Sequence, residues 1–138
     1  MSNTIRSGIL LIMTMGLMAC ASAGSPIQKP TLEQKLADRN YQLGEPVDRI
    51  MQYTVDSWSY LDREHVIMQT APSTYYLISL RRPCYGLTSA ETIGFTTTTS
   101  HLTPFDKLLV RSSGRTIEQC YISALHKLAR INKKLAAN

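Results

Sequence analysis

The sequence predicts an α+β domain: a small, mainly antiparallel sheet of about five or six strands, with an N-terminal helical segment and a C-terminal helix. Three features predict it. Apolar and polar residues alternate over short runs through the middle of the chain, turn residues punctuate those runs, and apolar positions recur at helical spacing near both ends.

The helical segment opens at Thr31, placed to act as N-cap, with Gln34 three residues on to complete a capping box. Leu32, Leu36 and Leu43 line one side, and Gly44 and Pro46 are expected to stop it. Beyond Val47 the period shortens to two, with Met51, Tyr53 and Val55 alternating with Gln52, Thr54 and Asp56. Trp58 and Tyr60 fall on the opposite parity, which predicts a bulge, or the start of a second strand, near Ser57. Asp62-Arg63-Glu64 reads as a turn, residues 65–70 as a strand, Ala71-Pro72-Ser73 as the next turn, and residues 75–80 as a strongly β-prone run. Arg81-Arg82-Pro83 ends that run just before Cys84. Residues 93–99 are a further expected strand, with Pro104 in the loop after it. Residues 107–111 and 117–122 flank Ser112-Ser113-Gly114, the pattern of a hairpin, and put Cys120 inside its second strand. Last, Ala124, Leu128, Ile131 and Leu135 recur at i, i+4, i+7 and i+11, with Lys127, Arg130, Lys133 and Lys134 on the other side. That spacing predicts an amphipathic helix packed on the sheet, the alternative being a basic helix lying on anionic lipid.

Ahead of this domain, residues 9–18 are almost wholly apolar, preceded by the single cation Arg6 and followed by small residues. The order of charged, apolar and small-residue regions is that of a bacterial export signal, and the apolar run is short for a membrane-spanning helix, which needs about 20 residues. Leu17-Met18-Ala19-Cys20 resembles a lipobox, with Cys20 as the lipidated residue, although Met18 is larger than usual there. The expected organisation is a lipoprotein signal peptide over residues 1–19, a flexible tether over 20–30 and a single domain over 31–138. Ala21-Ser22-Ala23 supplies the alternative, an ordinary cleavage site that would release a soluble periplasmic protein.

The whole chain carries a formal charge of +5. Without Arg6, fourteen cations face ten acids, an excess too mild and too spread out for a nucleic-acid footprint. It suits contact with anionic headgroups or polysaccharide. If Cys20 is lipidated, Cys84 and Cys120 remain, and an even pair in an oxidising compartment predicts a disulfide. A redox or metal role for the pair has less support, because no C-x-x-C occurs and His65, His101 and His126 show no ligand spacing with either cysteine.

Asp62-Arg63-Glu64-His65 is the densest polar cluster, and two carboxylates, a cation and an imidazole suit acid–base chemistry if they converge. On a turn such residues are usually solvated. Asp106, shortly after Pro104, is expected to shape a turn. No G-x-S-x-G, H-E-x-x-H, phosphate loop or calcium loop occurs, so no catalytic residue, metal or cofactor is assigned. Thr96 to Thr99 with Ser100 suits an exposed strand. Of Tyr53, Trp58, Tyr60, Tyr75, Tyr76 and Tyr85, Trp58 and one tyrosine of each strand are expected to fill the core, the alternative being a ligand platform.

Trp58, Leu61-Asp62, Tyr76-Leu77, Leu80, Cys84, Leu87, Ile93, Asp106, Val110 and Cys120-Tyr121-Ile122 resemble a family of small Gram-negative lipoproteins of unknown function, over residues 47–125. The resemblance implies a compact exported domain with a paired cysteine bridge, and no established reaction. The expected function is therefore that of a lipid-anchored, periplasm-facing envelope protein, at the outer membrane if Ala21 governs sorting. It is expected to act as a non-catalytic accessory or binding module whose partner is an envelope protein or polysaccharide. The alternative is a small periplasmic hydrolase or transferase using the cluster Asp62-Arg63-Glu64-His65.

Overall fold

The computed structural model describes residues 28–51, 55–114 and 116–131. The expected signal peptide, Cys20, most of the tether, Tyr53, and Lys133, Lys134 and Leu135 lie outside the described residues.

Helix α1 (Leu32–Asp38) is followed by strands β1 (Tyr41–Pro46), β2 (Ile50–Met51), β3 (Ser57–Asp62), β4 (His65–Ala71) and β5 (Thr74–Leu80). A short 3-10 helix (Tyr85–Ser89) leads to β6 (Ala90–Phe95), β7 (His101–Leu102), β8 (Lys107–Ser112) and the long β9 (Glu118–Arg130). Six strands are hydrogen-bonded in the order β3-β4-β5-β9-β8-β6, β1 joins β9 as a seventh, and β2 with β7 makes a separate two-stranded ribbon. All of these pairings are antiparallel. The expected sheet is present, with more strands than expected, and no helix among the described residues is long and apolar enough to cross a membrane.

The capping box forms as read: Gln34 N–H donates to Thr31 Oγ1 and Thr31 N–H donates to Gln34 Oε1. The helix ends sooner than the leucine spacing suggests. Asn40 takes φ 63°, a left-handed conformation that asparagine tolerates better than most residues, and turns the chain into β1. Leu43, expected to line the helix, and Gly44 and Pro46, expected to stop it, therefore belong to a strand. Gly44 is a close-approach residue, since a Cβ there would sit 2.7 Å from the carbonyl oxygen of Lys127 on β9.

The C-terminal helix is the main correction. Residues 124–130 are the second half of β9, paired on one edge with β5 (Ile78↔Leu125, Tyr75↔Leu128) and on the other with β1 (Leu43↔Leu128, Tyr41↔Arg130). The register slips between Ser79↔Ala124 and Leu80↔Ile122, a bulge at Ser123 that shifts the inward parity from Cys120 and Ile122 to Leu125. That slip, together with burial of both faces, turns a period-two strand into something that reads as helix-spaced. Two flanking strands satisfy its backbone and override the helix propensity of Ala, Leu, Lys and Arg.

One smaller correction follows the same logic. The strand expected over residues 93–99 runs instead over Ala90–Phe95. After it, Thr97 and Thr99 hydroxyls both donate to the carbonyl of His101, a local alternative to ladder bonding. The start of a second strand expected near Ser57 is present, since Ser57 begins β3, and a register shift follows between Tyr60 and Asp62.

The sheet buries both faces. Val66 and Met68 of β4, Ile78 and Leu80 of β5, Ile122 and Leu125 of β9, and Leu108 and Val110 of β8 share one cluster. Strands that far apart in the order meet only if the sheet curls into a half-barrel, and Ile50 of β2 and Leu102 of β7 cover its open side. On the convex face Leu36 of α1 packs against Leu61, Ile67, Tyr75, Leu77 and Leu128. Trp58, Tyr60 and Tyr76 pack against the first cluster and Tyr75 belongs to the second, so Trp58 is used in packing as expected and both tyrosines of β5 are used, one on each face.

Candidate functional site

Two clefts lie on either side of Pro83, which lines both. The first is built around the β3–β4 turn. A two-residue connection, Arg63-Glu64, places Asp62 directly opposite His65, and the preceding bulge turns Asp62 toward α1. Asp62 Oδ1 accepts from the Glu64 N–H at 2.8 Å and lies 2.8 Å from His65 Nδ1, while Lys35 Nζ of α1 donates to Oδ2 at 2.6 Å. Burial raises the Asp62 carboxyl, but the hydrogen bonds from Lys35, the Glu64 amide and His65 outweigh it and hold the group below its ordinary value. Asp62 and His65 are thus half-buried at the ends of the turn, while Arg63 and Glu64 between them are exposed as expected of a turn.

Of the expected polar cluster, Asp62 and His65 converge. Arg63 and Glu64 are exposed, and Arg63 lies over the ring of Tyr85 at 5.2 Å, leaving the acid–base set incomplete. Lys35, the third member, lies 27 residues before Asp62, and no local pattern marks that pairing. The arrangement orients the imidazole through its Nδ1, the positioning half of an acid–base pair. No serine, threonine or cysteine is among the described residues lining this cleft, which are Leu32, Lys35, Tyr60, Asp62 to His65, Pro83 and Tyr85.

The second cleft forms where β5 leaves the sheet. Arg81 N–H still donates to the Tyr121 carbonyl at 2.9 Å and Arg81 Nε to the Ile122 carbonyl at 3.1 Å, after which Arg82 and Pro83 carry the chain away from β9. Cys84 returns it, joined to Cys120 by a disulfide with Cα atoms 5.9 Å apart, within the usual range for such a bridge. Glu118 fixes the next turn, its carboxylate accepting from the N–H groups of Tyr85 at 3.2 Å and Gly86 at 2.5 Å. A Cβ on Gly86 would lie 2.6 Å from Glu118 Oε2, so a side chain there would displace the carboxylate from this cradle. The resulting cavity of about 470 Å³ is lined by Arg81, Arg82, Pro83, Glu118, Gln119, Cys120 and Tyr121.

Cys84, Glu118 and Cys120 bring possible ligand atoms within 4.8 Å of one another. A thiolate, not a disulfide sulfur, is the metal ligand, so the bridged pair does not provide a metal centre. Asp106 accepts from both N–H and Oγ1 of Thr103 at 2.8 Å, which closes the turn that presents Phe105. The sequence reading missed Lys35, Glu118, the arginine pair and Tyr121, because each acquires its neighbours from a distant part of the chain.

A family model described as "Family of unknown function (DUF6491)" matches residues 3–137. No curated protein and no solved structure matches the chain.

Proposed function

We propose that this chain, which belongs to the family of unknown function DUF6491 over residues 3–137, is an exported, lipid-anchored envelope protein acting as a non-catalytic binding module. The observation that carries the non-catalytic part is the occupation of Asp62, whose two oxygens hold Lys35, the Glu64 amide and His65. Those bonds tie α1 to the β3–β4 turn, a structural task. The export part is supported by the apolar run ending in Leu17-Met18-Ala19-Cys20 and by the Cys84–Cys120 bridge, which suits an oxidising compartment. Lipid on Cys20 would place the domain at the periplasmic face of a membrane, the outer one if Ala21 directs sorting, with an envelope protein or polysaccharide as partner.

Intact mass of the protein extracted from membranes tests the anchor. Loss of residues 1–19 with added acyl mass on Cys20 is expected, and an unmodified chain starting at Gly24 would replace the anchor with ordinary cleavage. A second reading, a hydrolase or transferase, is favoured by the 2.8 Å contact between Asp62 and His65. Turnover of ester or glycoside substrates that is lost in His65→Ala at unchanged thermal stability would establish it in place of the binding module.

A further inference from the structure

We propose that the cleft between Arg81-Arg82-Pro83 and the start of β9 binds an oxyanion-bearing sugar, one carrying a carboxylate or a phosphate. The proposal rests on the binding-module reading and names the ligand class and the site; it does not depend on the lipid anchor.

Four observations carry it. The cavity of about 470 Å³ falls in the size range of small-molecule sites, about 300–1,000 Å³, and is concave, which fits a discrete sugar unit better than a bilayer surface. Two adjacent arginines line it, and among the described residues neither Arg81 nor Arg82 forms an ion pair, although Arg81 Nε is held by the Ile122 carbonyl. Arginine presents a planar fork of N–H donors that matches carboxylate and phosphate geometry. The one acid in the wall, Glu118, is turned into the Tyr85 and Gly86 amides, which neutralise part of its field.

The rest of the lining suits the remainder of a sugar. Tyr121 is 54% exposed, and Lys107 Nζ sits 4.8 Å from its ring centroid, adding a cation beside the cleft. Its ring gives an apolar wall with a hydroxyl at the tip. Gln119 accepts from Lys107 Nζ at 3.2 Å, so its carbonyl end is held and its NH₂ remains a donor for a hydroxyl. The walls are set before binding: the disulfide, the two Arg81 bonds to β9 and the Glu118 cradle fix the segment from Arg81 to Gly86 against the sheet. Preorganised donors lose less freedom on binding than mobile ones.

Isothermal titration of the purified, disulfide-bonded protein with an oligogalacturonide and with glucose 6-phosphate tests the proposal, with a neutral malto-oligosaccharide as control. Binding of at least one anionic probe, and none of the neutral one, is expected. Arg82→Gln should weaken it about tenfold or more, as loss of a charge-assisted bond implies. Arg82→Lys should recover only part, because it restores charge without the fork. Arg82 is exposed at the surface, so these variants should keep the parent melting temperature, which is measured alongside. Equal binding of the neutral sugar, anionic binding unchanged in Arg82→Gln, or no binding of either anionic probe would overturn the assignment. So would association confined to vesicles containing phosphatidylglycerol. None of these results produces turnover at His65, so failure of this assignment is distinct from failure of the binding-module reading.

Discussion

Lys35 on α1 and Asp62 at the β3–β4 turn meet at 2.6 Å across 27 residues of sequence. The pair joins the helix to the sheet at a point where His65 also leans on the same carboxylate. One aspartate thus organises three segments of chain.

The pH dependence of stability follows from that geometry. The folded Asp62 pKa lies below its ordinary value. Its contribution is therefore complete above the unfolded carboxylate value and is lost as pH falls through the lower folded value. Asp62→Asn should remove about 1 kcal/mol at neutral pH, since the site is only partly buried, and should flatten the acid limb of the stability profile. Urea denaturation of both proteins at neutral and acid pH checks this; an equal loss at every pH would contradict it.

The disulfide closes a loop with a sequence separation of 36. In the chain-entropy model such a closure stabilises by about 4 kcal/mol. Cys84→Ser and Cys120→Ser should each lower the denaturation midpoint to a similar extent, and the double substitution should add little, since all three remove the same bond. Alkylation of denatured protein without reductant should find neither thiol; two free thiols would remove the basis of the comparison.

Glycine substitutions should separate close approach from mere presence in a strand. A Cβ at Gly44 would meet a backbone oxygen of β9 at 2.7 Å, whereas at Gly94 the nearest atom, Leu109 Cβ, is 4.0 Å away. Gly44→Ala should cost about 1–3 kcal/mol because a paired backbone cannot step aside. Gly94→Ala should stay within about 0.5 kcal/mol of the parent. Thermal melts of the two variants decide it, and equal stability of both would contradict the β1–β9 packing.

Leu125 and Leu128 lie on opposite faces of β9, one in each apolar cluster. Truncating either to alanine should cost about 2–5 kcal/mol. A one-sided amphipathic helix with Ala124, Leu128 and Ile131 on its buried side would instead concentrate the cost at Leu128. Denaturant titrations of the two variants distinguish the arrangements.

Much of the domain was legible because its signals are local. Residues 75–80 form a strongly β-prone run, Thr31 and Gln34 lie three apart, and Pro72 and Gly114 mark turns. Dihedral preference, capping and turn chemistry act over a few residues and leave their mark in the order of the chain. The candidate site was legible only in part: Asp62 with His65 and Cys84 with Cys120 were singled out, while Lys35, Glu118 and the cleft at Arg81 and Arg82 were not. Nothing near Lys35 in sequence points to Asp62, and nothing near Arg82 points to Tyr121.

By itself, then, the amino-acid order determined a mainly antiparallel sheet, one capped helix near its start, a pair of cysteines suited to bridging and the lipobox-like run at Cys20. Tertiary structure alone decided the conformation of residues 124–130, the placement of Gly44 and the two clefts. The reason is the same in each case. A strand flanked on both edges takes its conformation from its neighbours, and a bulge such as that at Ser123 erases the period that would have announced it.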